Sequence, residues 1–137
     1  MPKMGQHDTR PLAGVKILLM EDEEDVREIV AILLRLAGAE VTDVCDVEQA
    51  LAAYEQARPD CIVSDLNLDH EGLALLETIR ARPGEAAPPA IAVTGRVLAE
   101  DRVRAMAAGY RTYLTKPVDP GELVRAILEA TGRSNPR

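Results

Sequence analysis

The chain has 137 residues, 47% of them apolar, with 23 acidic against 16 basic side chains and a net charge of -7. That length fits one domain with a real core. The negative balance argues against a nucleic-acid binder driven by phosphate contacts, and three Tyr with no Phe or Trp argue against aromatic stacking platforms.

Residues 1–13 are mostly polar, carry Pro2 and Pro11, and read as a flexible N-terminal arm. Met1-Pro2-Lys3-Met4-Gly5-Gln6 lacks the apolar stretch of a signal peptide. No apolar run approaches the roughly 20 residues of a membrane span. The run Val15–Met20 predicts a strand that ends in Glu21-Asp22. A helix follows over about Glu24–Ala37, with Val26, Ile29, Val30, Leu33 and Ala37 on one stripe. Gly38 fits its C′ position. The second strand is Glu40–Cys45. Asp46 and Gln49 form a capping-box pattern for a helix to about Ala57, and Pro59 marks its end.

The third strand, Cys61–Ser64, ends in Asp65. A polar loop, Asn67–Glu71, leads to a helix over about Gly72–Ala81, and Pro83-Gly84 and Pro88-Pro89 bracket a further loop. The fourth strand is Ala90–Thr94, with a helix near Glu100–Ala108 that ends at Gly109. The last strand, Thr112–Thr115, leads into Lys116-Pro117. Asp119-Pro120-Gly121-Glu122 supplies an N-cap, a proline at N1 and an acid at N3 for a helix that Gly132 stops near Thr131. Residues 132–137 read as a short C-terminal tail, so the expected domain is 14–131.

Strands alternating with helices predict an α/β fold, a doubly wound five-stranded parallel sheet with five helices and right-handed crossovers. The expected strand order is the flavodoxin-like 2-1-3-4-5. In that order the first strand separates Cys45 from Cys61 by roughly 10 Å, too far to bridge. Both read as free thiols and small core residues, in agreement with a cytoplasmic protein. Four polar positions then share the carboxyl edge of the sheet, where open α/β sheets bind ligands. Glu21-Asp22, Asp65, Thr94 and Lys116 together suit a divalent cation and a phosphoryl group.

This arrangement resembles the response-regulator receiver domain of two-component signalling, over about residues 14–131. That family carries an acidic pair after the first strand, a phosphoacceptor Asp after the third, a Thr or Ser after the fourth and Lys-Pro after the fifth. The resemblance implies that Asp65 is the phosphorylated nucleophile. It implies Mg²⁺ bound by Asp22, Asp65 and the Asn67 main-chain carbonyl, with Glu21 acting through a water. It further implies that Lys116 pairs first with the acceptor and then with the phosphoryl oxygens. Thr94 would donate its hydroxyl, the Lys116-Pro117 bond would be cis, and Tyr113 would be a switch aromatic that turns inward as Thr94 moves.

Each residue has a plainer reading beside this one. The acids Glu21–Asp25 also suit a helix N-terminus. Asp65, Thr94 and Lys116 each suit an ordinary strand end, and Tyr113 suits an amphipathic strand. The spacing as a set favours the phosphoacceptor. The loop after Asp65 departs from the family: Leu68 and Asp69 stand where Met-Pro is usual, and Gly72 comes one position early. Asp69 then reads as a helix cap and His70 as an exposed loop residue. Two other motifs fail here. An EF-hand loop starting at Asp65 would need Gly at His70 and Glu at Leu76. A dehalogenase-type phosphatase would need its nucleophile after the first strand.

The expected function is a phosphoryl-accepting switch. A histidine kinase or histidine phosphotransfer protein would donate to Asp65, and a downstream protein would read the result by contact, with no direct nucleic-acid or membrane partner. The only chemistry expected is self-phosphorylation and autodephosphorylation of Asp65. A homodimer would use the fourth helix, fifth strand and fifth helix. The competing expectation is a receiver-like binding module not regulated by phosphorylation.

Overall fold

The computed structural model describes residues 9–65, 71–82, 84, 86–95 and 99–133. Strands β1 (Lys16–Met20), β2 (Glu40–Val44), β3 (Cys61–Asp65), β4 (Ala90–Thr94) and β5 (Thr112–Thr115) alternate with helices. These are α1 (Glu24–Leu36), α2 (Val47–Ala57), α3 (Glu71–Arg80), α4 (Ala99–Ala108) and α5 (Pro120–Thr131). All strand pairs are parallel, in the order β2-β1-β3-β4-β5.

Side-chain alternation splits the core in two. Ile17, Leu19, Cys61, Val63, Ile91 and Val93 point to the side covered by Ala31 and Leu34 of α1 and Leu123 and Ile127 of α5. Leu18, Met20, Ile62, Ala90 and Ala92 belong to the other cluster, with Ala50 of α2, Leu75, Leu76 and Ile79 of α3, and Ala105 of α4. A strand covered on both faces has no polar side to show, which is why β3 and β4 read as unbroken apolar runs.

Local chemistry sets the helix ends. Asp46 accepts from the Gln49 N–H at 2.8 Å while Gln49 Oε1 accepts from the Cys45 N–H at 3.1 Å, a reciprocal cap. Asp119 accepts from the Glu122 N–H at 3.0 Å ahead of Pro120. Gly38 ends α1 at φ +107°, and a Cβ there would lie 2.7 Å from the Ala13 nitrogen. Only glycine fits so close a backbone approach.

The packed body begins before residue 14. Leu12, inside the segment read as an arm, is fully buried in the α1/α5 cluster, and its N–H donates to the Ala37 carbonyl at 2.7 Å. A single leucine among polar residues and Pro11 gives no periodic signal, so its burial is a tertiary effect. Both cysteines are free. Cys61 opens β3, whereas Cys45 lies just past β2, and β1 runs between those strands. Burial, with the nearby Asp60 charge, pushes the Cys61 thiol up to about 12. Among the described residues no helix is long and apolar enough to cross a membrane.

Candidate functional site

The strand order reverses between β1 and β3, since β2 lies to one side of that pair and β4 and β5 to the other. A crevice at such a reversal is where doubly wound sheets place their ligands. Glu21 and Asp22 leave β1 there, and Asp65 ends β3 beside them. Glu21 extends the ladder, its N–H donating to the Val44 carbonyl at 3.0 Å. Its carbonyl accepts from Arg27 at 3.1 Å, and its Oε2 accepts from the Glu23 N–H at 3.1 Å. Arg27 also pairs with Asp43 at 3.4 Å, tying the turn after β1 to the neighbouring strand.

Lys116 arrives from β5. Its N–H donates to the Thr94 carbonyl at 2.8 Å, and the following Lys116-Pro117 bond is cis. Its Nζ lies 2.8 Å from Asp65 Oδ2 and 3.4 Å from Glu21 Oε1. Both carboxylates are buried, with side chains 5% and 4% exposed for Glu21 and Asp65, whereas Asp22 is exposed. Thr94 is buried at the end of β4, next to β3.

The electrostatics are unbalanced. Oxygen atoms of Glu21, Asp22 and Asp65 lie within 4.8 Å of one another. Burial, and then contact with the Asp65 carboxylate, push the Glu21 carboxyl up to about 7, against the opposing pull of the Glu23 N–H and Lys116. Burial of Lys116 disfavours its charge, but Asp65 and then Glu21 outweigh that and leave it above its ordinary value. Among the described residues, Asp65 Oδ1 is buried with no hydrogen-bond donor. A buried anionic oxygen without a partner is costly, so this one is poised for a ligand. The donor set is all oxygen, which suits a hard divalent cation.

The structure therefore gathers Glu21, Asp22, Asp65 and Lys116 into one cluster and sets Thr94 on the adjacent strand. Asn67, Leu68, Asp69 and His70 lie outside the described residues, so the expected Asn67 ligand and the course of that loop are not described. Tyr113 lies in the core already, 8% exposed, with the Arg102 guanidinium carbon 5.8 Å from its ring centre. Sequence reasoning missed Arg27, whose spacing of six from Glu21 carries no motif. It also missed Tyr110, whose phenol burial drives strongly upward, with Ser64 beside it pulling the other way.

Comparison with known proteins agrees with this geometry. The receiver-domain model of response regulators matches residues 17–128. The chain is 38% identical over 117 residues to an uncharacterized 14.6 kDa protein of Leptolyngbya boryana, covering 85% of this chain and 89% of that protein. It is 37% identical over 123 residues to the probable transcriptional regulatory protein TcrX of Mycobacterium tuberculosis. That match covers 86% of this chain but only 51% of TcrX, so the chain spans about half the length of such regulators. Among solved structures it resembles the receiver domain of the Pseudomonas aeruginosa sensor histidine kinase PA1611, which has a magnesium ion coordinated in its active-site cleft. There the TM-score is 0.78 with 36% identity, over 88% of this chain and 99% of that one. The Vibrio cholerae chemotaxis protein CheY4 gives a TM-score of 0.78 with 28% identity, over 87% and 98% of the two chains. With its fold, its strand-end cluster and its sequence all in agreement, the chain belongs to the response-regulator receiver domain family of two-component signalling.

Proposed function

We propose that Asp65 is the phosphoryl acceptor of this receiver domain. A histidine kinase or histidine phosphotransfer protein is the donor, and a downstream protein reads the phosphorylated state by contact. The observation that carries this reading is the environment of Asp65: Oδ2 is held by Lys116 at 2.8 Å, and Glu21 and Asp22 offer carboxylate oxygens within 4.8 Å of an Asp65 oxygen for a cation. Lys116 steadies the acceptor, and the acidic pair helps to hold the cation that transfer needs. In the transfer an Asp65 oxygen bonds to phosphorus, the P–N bond to the donor histidine breaks, and an acyl phosphate results. Such a transfer needs charge neutralisation and alignment more than acid–base chemistry.

Mg²⁺, when bound, supplies that neutralisation. Asp22 and Asp65 would hold it directly, with the Asn67 carbonyl as a third ligand and Glu21 acting through water. Lys116 then turns from carboxylate to phosphoryl oxygens, and Thr94 donates its hydroxyl to them. No turnover of a separate substrate is assigned, only phosphorylation and hydrolysis of Asp65 itself. A cytoplasmic location goes with two free thiols. We assign the receiver unit to about residues 14–131, with Leu12 packed against it and 132–137 as a tail.

The donor has to approach the edge where α1 begins. That helix shows Ile29, Ile32, Leu33 and Leu36 to solvent at i, i+3, i+4 and i+7, an apolar stripe of the kind that receives another helix. Val103 and Met106 of α4 are also exposed, which supports output or homodimer contact through α4, β5 and α5.

The test is mass spectrometry after incubation with acetyl phosphate and Mg²⁺. One phosphoryl mass is expected on the wild type and none on Asp65→Asn. Persistent labelling of that variant at Asp69 would reject Asp65, and no labelling of the wild type would leave the unregulated binding module.

A further inference from the structure

Arg27 stands near the start of α1, where a positive side chain opposes the helix dipole. Its contacts lie across the fold instead. The guanidinium meets β2, with Nε 3.4 Å from Asp43 Oδ2. It also reaches back along the chain, Nη1 donating to the Glu21 carbonyl at 3.1 Å. Asp43 is itself fixed: its Oδ1 accepts from Arg35 Nη2 at 3.0 Å, and the same nitrogen donates to the Val41 carbonyl at 3.0 Å. The side chains of Arg27 and Asp43 are 18% and 30% exposed, so solvent screens this pair less than a surface one.

The sheet explains why the Glu21 carbonyl takes a side-chain donor. Strands β1 and β2 are parallel, and the Glu21 N–H extends their ladder to the Val44 carbonyl at 3.0 Å. An evenly spaced parallel ladder would next bring an N–H from β2 to the Glu21 carbonyl. Here β2 ends at Val44, and Asp46 turns to cap α2. Arg27 supplies the donor in its place. A planar guanidinium holds two acceptors in fixed directions, whereas a lysine ammonium is a point charge on a flexible stem. The Glu21 carbonyl and the Asp22 N–H belong to one rigid peptide plane. Holding that carbonyl therefore directs the chain into Asp22, which is exposed and brings an oxygen within 4.8 Å of those of Glu21 and Asp65. A tie that only fastened α1 to β2 would need the Asp43 contact alone. We propose that Arg27 is a positioning residue for the cation site: anchored on Asp43, it holds the Glu21 carbonyl and so sets the peptide from which Asp22 reaches the ion. This role rests on the reading above that Asp22 is a Mg²⁺ ligand.

The test uses the full chain and two variants. In chelator, Arg27→Lys keeps the charge but loses the fixed hydrogen bond. It should move the carbonyl ¹³C resonance of Glu21 and the amide ¹⁵N resonance of Asp22. In Mg²⁺ titrations followed by NMR, Arg27→Gln should bind the ion about tenfold more weakly than the wild type, the scale typical of groups that orient metal ligands. The sign separates positioning from charge, since removing a positive group beside a cation site would by charge alone tighten Mg²⁺. It also separates positioning from a purely structural tie, whose loss would lower the melting temperature and leave the affinity of the folded chain unchanged. Arg27→Lys should weaken Mg²⁺ several-fold as well. Binding by Arg27→Gln that equals or exceeds the wild type, binding by Arg27→Lys that equals it, or an unmoved Glu21 resonance would each overturn the proposal. If Arg27→Gln does not fold, Arg27→Lys decides on the same two readouts. A wild type that takes up no Mg²⁺ would reject the cation reading itself, and the role of Arg27 with it.

Discussion

Glu21 and Asp65 are two buried carboxylates that share one lysine, and this imbalance has measurable consequences. Glu21 titrates at about 7 in the folded chain against an ordinary 4.5. The native state binds that proton more tightly than the unfolded state. The contribution of Glu21 is therefore fully present below about pH 4.5 and is lost as pH rises through 7. Lys116 is shifted above its ordinary 10.5, so its contribution is complete below that value and adds no slope near neutrality. In chelator, urea unfolding should show the wild type losing stability relative to Glu21→Gln between about pH 4.5 and 7, by at most about 3 kcal/mol. Parallel pH profiles for the two proteins would contradict the repulsion. Asp65→Asn removes one of the crowded charges and should stabilise the metal-free protein at pH 8 by about 1 kcal/mol, net of the lost ion pair to Lys116. Saturating Mg²⁺ should raise the melting temperature of the wild type by mass action. Asp22→Ala should remove that rise, and a rise that survives unchanged would show that Asp22 is not a ligand.

Elements are held in place by a few backbone approaches that only particular residues permit. Gly38 and Gly109 both sit at positive φ, +107° and +116°, so alanine is strained at either. The obstacles differ. At Gly38 a Cβ would meet the Ala13 backbone at 2.7 Å, in a segment pinned by the Leu12–Ala37 hydrogen bond. At Gly109 it would meet the Arg80 side chain, which can move at the cost of its 2.7 Å hydrogen bond to the Ala108 carbonyl. Gly38→Ala should therefore cost more than Gly109→Ala, by about 1 kcal/mol or more in chemical denaturation. Equal costs would mean that residues 9–13 yield as easily as a side chain. The same hydrogen bond explains why the folded body reaches back to Leu12, a residue whose sequence neighbours give it no strand or helix pattern.

At the scale of the whole molecule, a switch has to connect Asp65 to a surface. Thr94 ends the strand beside Asp65, and Tyr113 pairs with Ala92 in the neighbouring register, its ring in the same cluster as Ala105 and Ala108 of α4. With the ring already inward, the proposed switch would act by changing how Thr94 and α4 pack against it. Packed interiors favour discrete arrangements, so a bias of a few kcal/mol is enough to shift the population. Tyr113→Ala should still accept phosphate at Asp65. Amide NMR with a beryllofluoride phosphate mimic should show its shifts on α4 and α5 reduced several-fold from those of the wild type. Unreduced shifts would place the output elsewhere.

Periodicity, caps and strand-end polarity settled the element order, and each boundary lies within a residue or two of its sequence expectation. These are local signals: apolar runs for β3 and β4, the Asp46/Gln49 and Asp119/Pro120 caps, Gly38 and Gly132 at helix ends. The convergence of Glu21, Asp22, Asp65 and Lys116 was legible for the same reason, since polar residues that end apolar parallel strands must share an edge. What the sequence could not carry is distance and burial. That Glu21 is buried and Asp22 exposed, and that Lys116 spans both Glu21 and Asp65, depend on how β1, β3 and β5 are set against one another. The cleft beside these carboxylates is of the same kind: Val30, Val63, Val93 and Leu123 each read as ordinary core, and only the packing of α1 and α5 over the sheet decides that they line it together.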